Sequence, residues 1–117
     1  MKTVRIGIMP EAELRKYMLD IAAGRIKPKR DAPKVWFHSM KSLSEVLSDS
    51  NRILLKIIAD KQPENIKELA KISGRQPSNL SRTLKTFEQY GFVTMEKTAR
   101  SKRPVSKPVK FDIQITA

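Results

Sequence analysis

Asn65-Ile66-Lys67-Glu68-Leu69-Ala70-Lys71-Ile72-Ser73-Gly74-Arg75-Gln76-Pro77-Ser78-Asn79-Leu80-Ser81-Arg82-Thr83-Leu84-Lys85-Thr86-Phe87-Glu88-Gln89 holds two helices separated by three residues. Asn65 and Glu68 have capping-box spacing, an N-cap oxygen for a backbone N–H and a carboxylate reaching back. The first helix is short, apolar at Ile66, Leu69, Ala70 and Ile72, and stops at Gly74. Pro77 stands in the first turn of the second, where a missing N–H costs nothing. That helix runs to Gly91, a natural left-handed cap.

The second helix has two unlike sides. Leu80, Leu84 and Phe87 form one stripe at helical spacing, with Thr83 beside it. Ser78, Ser81, Arg82, Lys85 and Gln89 fall opposite, Asn79 on a flank, and no acid is among them. Arg makes bidentate contacts to guanine, Asn and Gln to adenine. Ser, Lys and the first-turn N–H groups suit phosphates. Arg75 and Gln76, in the turn, are near enough to join them. An ordinary solvated helix face would be expected to carry acids as well.

Outward from this pair, Phe92-Val93-Thr94-Met95 reads as a strand. Val109, Phe111, Ile113 and Ile115 alternate with Lys110, Asp112, Gln114 and Thr116 as a second, so the two are expected to form a hairpin. The segment between them, Lys97 to Pro108, holds Lys97, Arg100, Lys102, Arg103 and Lys107 and no acid. Arg100, Lys102 and Arg103 are the candidates for a DNA backbone or a narrow minor groove; a solubilising loop tip is the plain alternative.

Upstream, Ser39 can cap a helix bearing Met40, Leu43, Val46 and Leu47. Ser48-Asp49-Ser50-Asn51 opens another with Ile53, Leu54, Ile57 and Ile58, closed by Pro63. Three helices and a hairpin with a basic tip give the winged helix-turn-helix order. The expected class is α+β, mainly α, with an N-terminal strand-helix extension.

That extension begins with the alternating Val4-Arg5-Ile6-Gly7-Ile8. A helix follows Pro10 with Leu14, Tyr17, Met18, Ile21 and Ala22 on one stripe, ended by Gly24 and Pro28. Leu14, Tyr17, Met18 and Ile21 are candidates for a dimer or partner contact, or for covering the domain's own core. Arg25 to Lys34 carries five cations, two prolines and one acid, Asp31, and reads as a basic linker. The expected division is 1–34 for extension and linker and 35–117 for the DNA-binding domain. Val35-Trp36-Phe37 is a short extended aromatic segment, more often core or dimer contact than a ligand surface.

Composition agrees. Among 117 residues, 24 Lys and Arg against 12 Asp and Glu give +12, a field that attracts polyanions. Cysteine is absent, which excludes disulfides and thiolate zinc sites. No apolar run approaches a membrane span and nothing resembles a signal peptide, so a cytoplasmic protein is expected. The lone His38 has no ligand cluster around it in sequence. There is no nucleophile–base pair, phosphate-binding glycine loop or paired carboxylate, so neither enzymatic activity nor a cofactor is expected.

Pro33-Lys34-Val35-Trp36-Phe37, Leu47-Ser48-Asp49-Ser50-Asn51-Arg52, Glu68-Leu69-Ala70, Gly74-Arg75, Asn79-Leu80-Ser81-Arg82-Thr83-Leu84, Tyr90-Gly91-Phe92-Val93 and Arg103-Pro104 follow one another in order. The chain so resembles the MarR-like winged helix-turn-helix transcriptional regulators of prokaryotes. It departs from full-length members in having no long C-terminal dimerisation helix within these residues. The resemblance implies a bacterial or archaeal transcription factor; the expected regulator binds double-stranded DNA as a homodimer. Members encoded beside a small toxin-like protein imply an antitoxin that represses its own operon. A protein-interaction module and an RNA-binding winged helix are the rival expectations.

Overall fold

The computed structural model describes residues 2–107 and 109–115; Pro108 and Thr116 of the expected hairpin lie outside them. They form β1 (Lys2–Ile8), α1 (Glu11–Ala22), β2 (Val35–Phe37), α2 (Met40–Val46), α3 (Asp49–Lys61), α4 (Ile66–Ser73), α5 (Pro77–Gln89), β3 (Thr94–Lys97), β4 (Lys102–Val105) and β5 (Val109–Gln114). The class is α+β. The chain divides into two compact units, Met1–Glu45 with Val109–Ala117, and Val46–Pro108. Composition puts the boundary after Lys34. The structure places it after Glu45 and returns the last strand to the first unit.

In the first unit the sheet order is β2-β1-β5, with both pairings parallel. Parallel neighbours need a crossover rather than a tight turn, and α1 with the basic segment supplies the one from β1 to β2. Along β1, Val4, Ile6 and Ile8 point to one face. Val35 and Phe37 of β2 and Phe111 and Ile113 of β5 join them in register. Ile6 and Phe37 are fully buried. Thr3, Arg5 and Gly7 occupy the other face, where Trp36 lies so close over Gly7 that a Cβ there would sit 2.3 Å from the indole. Tyr17 meets the same indole edge-on, ring centroids 5.6 Å apart.

The expected hairpin between Phe92–Met95 and Val109–Ile115 does not form. β3 instead pairs antiparallel with β4, Thr94 opposite Val105 through Lys97 opposite Lys102. Alternation reports that a segment is a strand and which side faces in, but not its partner. The period of Val109, Phe111 and Ile113 fits β1 as well as it would fit β3. The true partner is concealed by its composition, Lys102-Arg103-Pro104-Val105, since proline demotes a segment to an edge. A two-stranded ribbon has only edges, and the fully buried Pro104 leaves no orphaned N–H there.

The caps expected from sequence are made. Ser39 Oγ accepts from the Ser42 N–H at 3.0 Å, and Ser48 Oγ from the Asn51 N–H at 3.2 Å. Asn65 Oδ1 accepts from the Glu68 N–H at 2.8 Å, while the Glu68 carboxylate reaches one residue further back than a standard box, to the Glu64 N–H at 3.2 Å. α5 ends in a Schellman turn: Gly91 at φ 78° lets its own N–H reach the Glu88 carbonyl and that of Phe92 reach the Phe87 carbonyl. The accompanying apolar contact is Phe87 against Phe92, centroids 6.3 Å apart. Phe92 and Val93, expected in the strand, are therefore buried in the approach to it.

The second unit buries Leu54, Leu55, Ile58, Leu69, Leu80, Leu84, Phe87, Phe92 and Val93, with Pro63 and Pro104. Each large apolar side chain so buried contributes roughly 1.5–3 kcal/mol. This core holds α3, α4 and α5 together and docks β4 on α3 and α4.

Candidate nucleic-acid interface

Gly74 ends α4 in the left-handed conformation, φ 73°, its N–H donating to the Ala70 carbonyl. The chain then has only Arg75 and Gln76 before α5 begins at Pro77. Gln76 is extended, φ −69° and ψ 140°, and makes no side-chain cap bond. Its amide stays available at the open end of α5, whose first turn contains no acid.

α5 is anchored by Leu80, Leu84 and Phe87, all buried. That choice of inward face leaves Ser78, Asn79, Ser81, Arg82, Lys85 and Gln89 exposed, with Thr83 half-buried between the sides. Neither Arg82 nor Lys85 forms an ion pair among the described residues. Two like charges three positions apart on one helix repel mildly, an arrangement that a bound anion relieves.

Arg75 differs from the other turn and helix candidates because its guanidinium is already committed. One nitrogen donates to the Ser50 carbonyl at 2.9 Å and to Ser50 Oγ at 2.8 Å, while the other reaches Asn79 Oδ1 at 3.5 Å. It ties the turn to the start of α3 and steadies Asn79 in the first turn of α5. Its role in the fold is positioning. The 25 residues between Ser50 and Arg75 are why sequence spacing does not reveal it.

The β3–β4 hairpin closes through Thr98 and Ser101. The Thr98 N–H donates to the Ser101 carbonyl at 2.7 Å, and the Ser101 N–H to Thr98 Oγ1 at 3.1 Å. Ala99 and Arg100 form the exposed tip. The loop is thus far shorter than the expected Lys97 to Pro108, and Lys102 and Arg103 belong to a strand.

The three wing candidates separate accordingly. Arg100 is exposed and has no ion pair among the described residues. Lys102 is exposed directly opposite Lys97, two cations facing each other at the tip's base. Like charges so placed oppose strand pairing. Arg103 is drawn in between carboxylates, Nε 3.5 Å from Glu96 and Nη1 4.0 Å from Glu64, and its side chain is only 29% exposed. It joins the hairpin to the connection between α3 and α4. Lys97, which is not among the candidates from sequence, belongs with Arg100 and Lys102; the strand register is the signal that brings it in.

In the first unit, no residue of α1 is buried. Leu14, Tyr17 and Ile21 are half-buried, Met18 is 43% exposed and Leu19 59%. The basic segment Arg25 to Lys34 is exposed except for Ala32 and Pro33, and Arg25 pairs with Asp20 at 2.9 Å. His38 is exposed. Among the described residues no helix is long and apolar enough to cross a membrane, and no His, Asp and Glu cluster is arranged to hold a metal.

No curated protein and no solved structure matches the chain. A family model does, and its match begins at the residue where the second compact unit begins. It runs over residues 46–113, more than half of the sequence, and the chain belongs to the HVO_A0114 family.

Proposed function

We propose that the chain is a sequence-specific DNA-binding transcriptional regulator, a prokaryotic, cytoplasmic repressor of its own operon, built on a winged helix-turn-helix. The observation that carries this is the outer face of α5. Gln76, Ser78, Asn79, Ser81, Arg82 and Lys85 stand exposed on a helix whose inner side is firmly buried. A firmly anchored helix whose outer face from Ser78 to Lys85 presents amides, hydroxyls and cations with no carboxylate among them is what major-groove edges and flanking phosphates require. The hairpin tip, with Lys97, Arg100 and Lys102, serves as the wing on the backbone or minor groove. No catalytic step is assigned.

Selection of bound sites from random duplex DNA tests the proposal. Enrichment of a defined motif supports it, and a two-fold symmetric motif indicates a homodimer with recognition helices about 34–36 Å apart. Recovery of random sequence alone, or preferential competition by RNA, counts against it.

A second role is favoured by α1, whose exposed Met18 and Leu19 and lack of any buried residue suit a protein partner. A toxin-like protein held by that helix would make the chain an antitoxin, with DNA binding as autoregulation. Co-purification with the product of the neighbouring gene tests this.

A further inference from the structure

β5 is an edge strand of six residues, Val109–Gln114, containing neither glycine nor proline. It pairs with β1 on one side, and among the described residues no strand runs along the other. Open edges template pairing with another chain, and proteins blunt them by shortness, proline, bulges, charged side chains or a covering helix or loop. The opposite edge of this sheet, β2, is protected by having only three residues. β5 has no proline or break in register, and its two charges, Lys110 and Asp112, are of opposite sign and so do not repel a second copy outright.

What it carries instead is a self-complementary pattern. Val109, Phe111 and Ile113 share the apolar face with Val4 and Ile6, whereas Lys110 and Asp112 share the other face with Arg5. Ile113 is 47% exposed and Ile115, just past the strand, 57%. Asp112 keeps 45% of its side chain accessible although the Arg5 Nε lies 3.9 Å away.

We propose that β5 pairs antiparallel with β5 of a second copy of the chain, about a two-fold axis at Phe111, so that two three-stranded sheets become one continuous sheet. In that register Val109 faces Ile113 of the other copy and Phe111 faces its own counterpart, all on the apolar side. Lys110 faces Asp112 on the polar side, twice by symmetry. Centring the axis on Lys110 sets lysine against lysine, and centring it on Asp112 sets aspartate against aspartate. Directly opposed like charges destabilise strand pairing while opposite ones support it, so the charges favour the Phe111-centred register over those two. The pairing involves only the first unit and stands whether or not α5 binds DNA.

The test is sedimentation of the intact protein over a dilution series, for wild type, Lys110→Glu, Asp112→Lys and an equimolar mixture of the two variants. Wild type is expected at twice the chain mass. Each variant alone brings acid against acid or lysine against lysine and falls to the mass of one chain. The mixture regains the dimer, because only the heterologous pair has opposite charges at both positions. Circular dichroism checks that each variant is folded. A second measurement guards against a variant that does not fold. The chain has no cysteine, so a Val109→Cys copy mixed with an Ile113→Cys copy is expected to give an inter-chain disulfide on mild oxidation. A wild type of single-chain mass, a dimer indifferent to both charge reversals, a mixture that stays monomeric, or the absence of that disulfide overturns the proposal.

Discussion

The Arg75 guanidinium donates to both the carbonyl and the hydroxyl oxygen of Ser50, so the tight turn before α5 is held to the first turn of α3. Hydrogen bonds from a charged donor contribute more than neutral ones, but this group is only half-buried, and about 1 kcal/mol is a fair expectation. Arg75→Ala is expected to lower unfolding free energy by about that amount, measured by urea titration. Ser50→Ala, which removes one acceptor of the two, is expected to cost less. Arg75→Lys is not expected to rescue, because an ammonium lacks the planar fork.

Arg82 makes no such internal contact, which separates fold from recognition. Arg82→Ala is expected to leave the unfolding midpoint essentially unchanged. It is expected to weaken binding to a selected DNA site by ~1–3 kcal/mol and to relax preference at one base position. Equal affinity for the original and the substituted site in wild type and variant would remove Arg82 from the reading set.

In the hairpin the two kinds of arginine should behave oppositely. Neutralising Arg100 and Lys102 together is expected to flatten the log–log salt dependence of DNA binding, by ~0.9 for each phosphate that is no longer neutralised. Arg103→Ala is expected to leave that slope alone and to loosen the hairpin, because its partners are Glu64 and Glu96. Hydrogen exchange at Thr94 to Val105 reports the second effect.

Gly7 is the close approach on which the first unit's packing depends. With a Cβ only 2.3 Å from the indole, Gly7→Ala forces Trp36 off β1 and away from Tyr17. Overpacking of this kind costs about 1–3 kcal/mol. Trp36 is the single tryptophan, so its fluorescence is expected to shift to the red in the folded variant.

Much of the second unit is legible in the sequence because its signals are local. Caps at Ser48 and Asn65, the stop at Gly74, Pro77 in the first turn and the Leu80–Leu84–Phe87 stripe each act within a few residues. Those signals place the helices and the outer face of α5. What is not legible is long-range. Nothing near Arg75 points to Ser50, nothing near Arg103 points to Glu64, and the period of β5 does not say that its neighbour is β1. The hairpin escapes sequence reasoning for the same reason, compounded by Pro104 standing where a strand is least expected.

β5 closes a sheet whose central strand lies at the other end of the chain, Lys2 opposite Val109. A growing polypeptide therefore holds β1 without one neighbour until Val109 to Gln114 have been made. The intervening Val46–Pro108 segment, a compact unit of its own, can fold on the ribosome first. Unit 1 is then completed as a late event. Nascent chains arrested before Val109 are expected to show a protease-resistant second unit beside a first unit that is still cleaved.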